Sequence, residues 1–363
     1  MVLETESHEQ LSQRMAAYIS GGLTCNMVCL GDDLGIYAGM KALGKATSQK
    51  LADRLNLSER WVREWLYQQA AARLITTDAD AHEFWMTKVQ EDILVNENGP
   101  DGSAYFMTGA AQSVPPSIRA NDARMEAFKT GKGLTYDNYG PEMAHAVCRD
   151  LTVWIRHSLV EMLCTVPGLK DALEKGIHVA DIGCGCGEAL MIVAKTFPAS
   201  TFHGYDISTH ALDVANKHKG KNKEYSNTAF FNPSQGQPMP STPTYDFMYT
   251  MDAIHDMSHP HKVLLQARMA LKEQSFGYLI CDVDGKETPA ENIHGDPDTA
   301  RLFYGYSLSL CMPSGLSEPN GMGLGTLGFT KRVAKELTSQ AGFSDYVELD
   351  FERPMMKFIL VKH

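Results

Sequence analysis

The stretch HVADIGCGCGEA, residues 178–189, decides the fold. It reads as a short apolar strand, then acid-x-Gly-x-Gly-x-Gly, then a helix over 189–195. Asp181 opens the pattern, and Gly183, Gly185 and Gly187 alternate through it. Glycines at this spacing let the backbone turn tightly and lie flat against a ligand, because no Cβ blocks the approach. The helix that follows points its first N–H groups at the same place. A second acid, Asp206 in TFHGYDIS, lies one helix and one strand further on. An acid at the end of a second strand is placed for ribose hydroxyls. Together these residues predict a nucleoside site on a Rossmann-like sheet.

The surrounding pattern alternates strand and helix, which implies a parallel sheet. Strands are expected at 178–182, 201–206, 229–232, 247–251 and 277–283. Helices are expected at 189–195, 209–218, 261–271 and 331–341. Two final strands, 346–351 and 356–361, stand too close for a helical crossover and predict an antiparallel hairpin. The expected fold class is α/β: a Rossmann-like seven-stranded sheet whose last strand is antiparallel, behind an N-terminal all-α, winged-helix domain.

That N-terminal domain is read over residues 1–95. Helices are expected at 11–19 and 26–43. Thr47 or Ser48 can cap a short helix through Leu55, and Ser58 can cap the next. Trp61, Val62, Trp65 and Leu66 recur there at helical spacing. Two β-prone runs, 74–76 and 83–86, follow. Helix, turn, helix and hairpin make a winged helix, which either reads DNA or serves dimerisation and walls a substrate site. Arg60 and Arg63 face Glu59 and Glu64 along the second helix, so it reads as a packing helix and no nucleic-acid partner is expected. Residues 96–150 read as a connector with a helix near 121–130, and residues 151–363 as the catalytic domain.

The chain's 363 residues suit two domains, with 44% hydrophobic and 21% charged residues. A formal net charge of −11 argues against general nucleic-acid binding, which needs a basic face. No run of about 20 apolar residues is present, so no membrane span is expected. The start MVLETESHEQLSQRM lacks the layout of a signal peptide. Eight scattered cysteines suggest a reducing cytoplasm and no disulfide framework. Cys184 and Cys186 read as small side chains at variable loop positions, and no metal site is expected.

Glycines spaced this way, with an acid two residues ahead, resemble the class I S-adenosylmethionine (AdoMet) methyltransferases. Dinucleotide enzymes favour G-x-G-x-x-G, which puts an NAD-linked oxidoreductase behind. The resemblance implies AdoMet as cofactor and S-adenosylhomocysteine as product. It implies that Asp181 supports the amino-acid end of the cofactor. Ile207 beside Asp206, Asn232 after strand three for adenine, and Met251 with Asp252 at the end of strand four complete the expected cofactor contacts. Tyr136 and Tyr139 in GKGLTYDNYGPEMAHAV either close over the ligand or are half-buried loop aromatics.

The acceptor end is expected just past strand four, in YDFMYTMDAIHDMSHPHKVL, residues 245–264. His255 there has an ordinary pKa near 6.5 and can take a proton from an acceptor. Asp256 can orient it or cap the next helix. A His-Asp pair at this point, behind a winged helix, resembles the plant caffeate-type O-methyltransferases, in which the histidine is the general base. That family follows the pair with Trp, here Met257, and often carries Lys where this chain has Met251. The whole chain is more similar to a bacterial and animal group with D-A-I-H-D at this point. The competing reading of His255 is a structural histidine bonded to backbone. Phe303, Tyr304, Tyr306 and Met312, in the long segment 284–330, are candidates to line the acceptor pocket or to pack one extra helix.

The resulting expectation is a small-molecule methyltransferase and homodimer, with oxygen the first acceptor and sulfur or nitrogen the alternative. An AdoMet-sensing, DNA-binding regulator is the competing class.

Overall fold

The computed structural model describes residues 6–99 and 102–363. Residues 1–5, and Pro100–Asp101 of the connector, lie outside the described residues. The chain divides into two compact units, residues 1–115 with 149–153, and residues 116–148 with 154–363. The stretch 96–150 is thus shared between them.

The first unit opens with one helix, His8–Asp33, and not the expected pair 11–19 and 26–43. Gly21 and Gly22 lie between the two expected helices, and the helix runs through both. Two glycines cost roughly 1 kcal/mol each in a helix interior, too little to interrupt one closed at its start by the Ser7 capping box. The break comes at Gly35, whose φ of 67° suits a residue without Cβ. Helices Ile36–Leu43, Ser48–Leu55 and Glu59–Ala71 follow. Thr47 caps the third through Lys50 N–H, as expected. Ser58 stands at the next N-cap but its hydroxyl makes no capping bond.

Short strands β1 (Ala46–Thr47), β2 (Thr76–Thr77) and β3 (Glu83–Trp85) form a wing in the order β1-β3-β2. Val62, Trp65 and Leu66 enter the core with Ile36, Tyr37 and Leu51. Trp61 departs from its expected packing role, being 79% exposed. Helical phase explains this: it lies about 100° round from Val62, off the buried stripe. Arg60 and Arg63 pair with Glu64 and Glu59 along the same helix, at 2.6 and 3.3 Å.

The second unit carries a seven-stranded sheet. Its strands are β4 (His178–Ile182), β5 (Thr201–Tyr205), β6 (Thr228–Phe231), β7 (Phe247–Met251), β8 (Gly277–Val283), β9 (Asp345–Glu348) and β10 (Met356–Lys362). They stand in the order β6-β5-β4-β7-β8-β10-β9. All neighbours from β6 to β8 pair in parallel, while β10 is antiparallel to both β8 and β9. The chain therefore steps outward on one side of β4 and then on the other. Ligands bind at such a reversal, beyond the carboxyl ends of the strands. The central strands β7 and β8 are buried throughout, as covered parallel strands must be.

One disulfide joins Cys148 to Cys186, across 38 residues. This corrects the reading of Cys186 as a small loop filler and of the chain as free of disulfides. It ties the helix Pro141–Cys164 to the glycine loop after β4. Cys184 is a buried free thiol.

Candidate active site

The loop after β4 has the three alternating glycines in left-handed conformations. A Cβ at Gly183 would stand 2.5 Å from that of Ala253, and one at Gly187 would strike the Phe230 ring at 2.5 Å. Gly185 differs: nothing lies within 4 Å of its absent Cβ. Two glycines are thus demanded by packing, and the middle one faces open space that a ligand can fill.

Asp181 stands near the end of β4, just ahead of this loop, and is 1% exposed. Neither of its oxygens has a hydrogen-bond partner. The Tyr249 hydroxyl faces it, also without a partner in bonding geometry. Burial pushes the carboxyl well above the usual range. A buried, unpartnered carboxylate is costly unless a cation meets it. That cost and the open cradle at Gly185 fit a ligand with a positively charged amino-acid end.

Asp206, after β5, is held by two backbone N–H donors. Gly185 N–H reaches Oδ2 and Ser208 N–H reaches Oδ1, each at 2.8 Å. The carboxylate thus fixes the glycine loop while keeping lone pairs for a ligand. Ile207 beside it is half exposed. Asn232 is buried, donates to Ile207 C=O at 3.2 Å and accepts from Ser234, so its side chain ties the loop after β6 to that after β5.

The two loop tyrosines part company. A 3₁₀ turn, Tyr136–Tyr139, is anchored by Asp137, which accepts from Ser208 Oγ at 2.6 Å and Thr209 N–H at 2.9 Å. Burial, with Asp256, Asp206, Cys311 and Asp252 nearby, pushes the Tyr136 hydroxyl well above its ordinary value. Tyr139 instead packs with Leu134 and Met143 in a separate apolar cluster. Asp137 went unassigned in the sequence reading, since an acid between tyrosines has no local signature.

At the end of β7, Met251 is buried and Asp252 takes a left-handed φ of 57°. The chain then turns through the 3₁₀ segment Ile254–Asp256. His255 is buried there, and its Nδ1 lies 2.8 Å from Asp282 Oδ1. The His255 backbone N–H also donates to Asp282 Oδ2, at 3.3 Å. Asp282, at the end of β8, is therefore the orienting carboxylate, a role offered in the sequence to Asp256. The parallel pairing of β7 and β8 brings both strand ends to one edge. The acid in LICDVD was visible, but its partner was not.

Burial opposes the charged imidazole, yet Asp282 and Cys311 outweigh it and push His255 well above its ordinary pKa. Asp282 is held below the usual carboxylate range, because His255 and Lys357 overcome its desolvation. Burial drives Asp256 up to about 7, only partly offset by His255.

Cys311 completes this corner. Helix Pro297–Tyr306 passes into a π turn, Ser307–Cys311, and a short helix, Met312–Gly315. The π turn and the short helix pack on the Ile254–Asp256 segment. Donor atoms of His255, Asp256 and Cys311 lie within 4.8 Å of one another. Phe303, Tyr304, Tyr306 and Met312 are all half-buried along the same run. Cys311 was not singled out in the sequence, where a thiol in an apolar run looks like core.

Comparisons with known proteins agree with this geometry. Residues 173–312 match a methyltransferase domain family, and residues 22–95 match an Rv2258c-like winged HTH domain. A malonyl-[acyl-carrier protein] O-methyltransferase of Halalkalibacterium halodurans is 29% identical over 138 residues, 36% of this chain and 47% of that protein. The chain thus spans about half the length, or less, of the curated relatives it matches. Among solved structures, a candidate O-methyltransferase of Nostoc punctiforme superposes with a TM-score of 0.72 at 18% identity, over 99% of this chain and 100% of that one. Human N-acetylserotonin methyltransferase, solved with SAM, gives 0.66 at 16% identity over 99% of both. The chain therefore joins a winged helix-turn-helix domain to a methyltransferase domain with a seven-stranded sheet.

Proposed function

We propose that this protein transfers a methyl group from AdoMet to the hydroxyl of a small molecule, with His255 as general base. One observation carries the reading: a buried histidine, held at Nδ1 by Asp282, stands past β7 on the same sheet edge as the unpartnered Asp181. AdoMet supplies a methyl group on a sulfonium leaving group. The protein's part is to align the acceptor and take its proton.

Asp181 meets the ammonium of the cofactor, and the bare Gly185 backbone lets that end lie close. Asp206 takes the ribose hydroxyls, with Ile207, Asn232, Met251 and Asp252 around the nucleoside. Tyr136 closes the site over both ligands, and Tyr139 holds its turn. With Nδ1–H committed to Asp282, Nε2 of His255 is the atom that accepts the hydroxyl proton. Asp282 then stabilises the imidazolium. Phe303, Tyr304, Tyr306 and Met312 wall the acceptor.

The protein acts as a homodimer through its first unit. Leu11, Met15, Ile19 and Leu23 are all exposed and stand four residues apart along the helix His8–Asp33, forming an apolar stripe. We assign it to the cytoplasm because six of its eight cysteines are free, the Cys148–Cys186 disulfide being the exception.

The test is incubation with AdoMet and a panel of hydroxylated metabolites, following S-adenosylhomocysteine release and the mass gain of one methyl group. A wild-type enzyme that methylates thiols or amines and no hydroxyl would overturn the acceptor assignment.

A further inference from the structure

Methyl transfer by His255 gives Cys311 nothing to do, yet the thiol is 7% exposed and is brought to the imidazole by a π turn. π turns inside helices are rare and concentrate at functional sites. We infer that His255, Asp256 and Cys311 form a three-ligand site for a thiophilic divalent cation, with Zn²⁺ the best match, at the acceptor position.

The donor set is the first argument. A thiol, an imidazole and a carboxylate together select zinc over magnesium or calcium, which take oxygen alone. Three protein ligands leave a fourth position open, the arrangement of zinc sites that admit water or substrate. The ring nitrogen is settled by its surroundings: Nδ1 is committed to Asp282, so Nε2 is available. A histidine whose far nitrogen donates to a carboxylate is the usual support of a bound metal. The sulfur is supported too, since Thr326 Oγ1 donates to Cys311 Sγ at 3.0 Å.

The spacing is close to sufficient. Zinc bonds of about 2.0–2.3 Å put tetrahedral ligand atoms roughly 3.3–3.8 Å apart. The three donors, within 4.8 Å of one another, need at most about 1.5 Å of closure, which side-chain rotation of Asp256 and Cys311 supplies. Charge also favours a cation. Asp252 and Asp282 stand on the opposite side of the same imidazole, and Asp252 Oδ1 is buried with no partner. On binding, Cys311 gives its thiol proton and the His255 imidazolium its Nε2 proton to solvent, and no electrons are exchanged. The cation occupies the Nε2 lone pair that proton removal needs, so occupancy and general-base catalysis exclude each other.

The experiment titrates Co²⁺, as a spectroscopic stand-in for zinc, into the cofactor-free full chain. One equivalent should raise a near-ultraviolet thiolate-to-cobalt band with visible bands of tetrahedral intensity, and Zn²⁺ should displace it stoichiometrically. Cys311→Ser should abolish the thiolate band, while Cys164→Ser, at an exposed thiol, should leave it intact. Asp256→Asn and Asp282→Asn should each weaken zinc binding about 10–100-fold. Absence of the thiolate band in the wild-type protein overturns the proposal without any variant. So does a band that survives Cys311→Ser, or zinc affinity unmoved by both Asp variants. Only the inhibition arm rests on the general-base reading: there Zn²⁺ should compete with the acceptor and not with AdoMet. Binding is read without either ligand, so failure of the methyl-transfer reading leaves it standing.

Discussion

Asp282 Oδ1 stands 2.8 Å from His255 Nδ1 with both side chains buried, whereas Asp256, adjacent in sequence, makes no hydrogen bond to the ring. With Nδ1–H committed to Asp282, Nε2 is the nitrogen left for the acceptor in the proposed function. Loss of His255 should therefore spare cofactor binding and remove proton acceptance. His255→Ala is expected to keep AdoMet affinity by calorimetry and to lose about 10²–10⁴ in turnover of a hydroxyl acceptor. Full turnover in this variant would remove the base from the mechanism.

The same pair sets the pH dependence. Asp282 raises the His255 pKa, so the imidazolium is favoured and the base form appears only as pH rises through that raised value. The rate should climb with pH, with a midpoint above the ordinary histidine value of about 6.5. In Asp282→Asn the negative charge is gone, so the rising limb should move to lower pH while the maximal rate falls through loss of orientation. A pH–rate profile of both proteins decides it; an unmoved limb would count against the coupling.

Asp256 costs the folded protein stability when ionised. Its pKa is raised to about 7 by burial, so the cost is absent below the unfolded carboxylate range near pH 4. It grows as pH rises and is complete above about 7. Removing the charge should relieve it. Asp256→Asn should unfold at a higher temperature than wild type at pH 8, by the equivalent of a few kcal/mol, and match it near pH 4. Thermal melts of the cofactor-free proteins at the two pH values check both halves.

In the proposed function Gly185 and Asp206 divide the cofactor contacts. Gly185→Val places a side chain in the open cradle and forces a β-branched residue to φ 52°, so AdoMet binding should be lost. Asp206→Ala removes the ribose acceptor and also frees Gly185 N–H, and should weaken binding by ~1–3 kcal/mol. Calorimetry showing wild-type affinity in Asp206→Ala would refute the ribose assignment.

The Cys148–Cys186 bond predicts a thiol count. Alkylation of the denatured, unreduced protein should label six of the eight cysteines, and all eight after reduction. Closing a loop of 38 residues stabilises by roughly 4 kcal/mol in the chain-entropy model, so reduction should lower the denaturant midpoint. Eight labelled thiols before reduction would show that the pair is open.

The sheet and the cofactor loop were legible because their signals are local. β4, β7 and β8 were expected at the residues where they stand, since each is an apolar run bounded by turn residues. The glycine loop was legible because left-handed backbone and close packing admit few other residues. The first helix was misdivided because a glycine pair marks a breaker locally, while its cost is overruled by the turns on either side.

Sequence by itself determined the order of strands and helices, the acid-led glycine loop and the histidine past strand four. Each rests on spacing within a few residues. Only the tertiary structure decided which carboxylate holds His255, which cysteine pairs with Cys186, and that Cys311 lies beside the imidazole. Asp282 lies 27 residues from His255, and Cys148 lies 38 from Cys186. At such distances an acid or a thiol carries no local mark of its partner. The partner is fixed when parallel strands bring their carboxyl ends to one edge and helices pack across them, which is where hydrogen bonds and burial select one pairing among many.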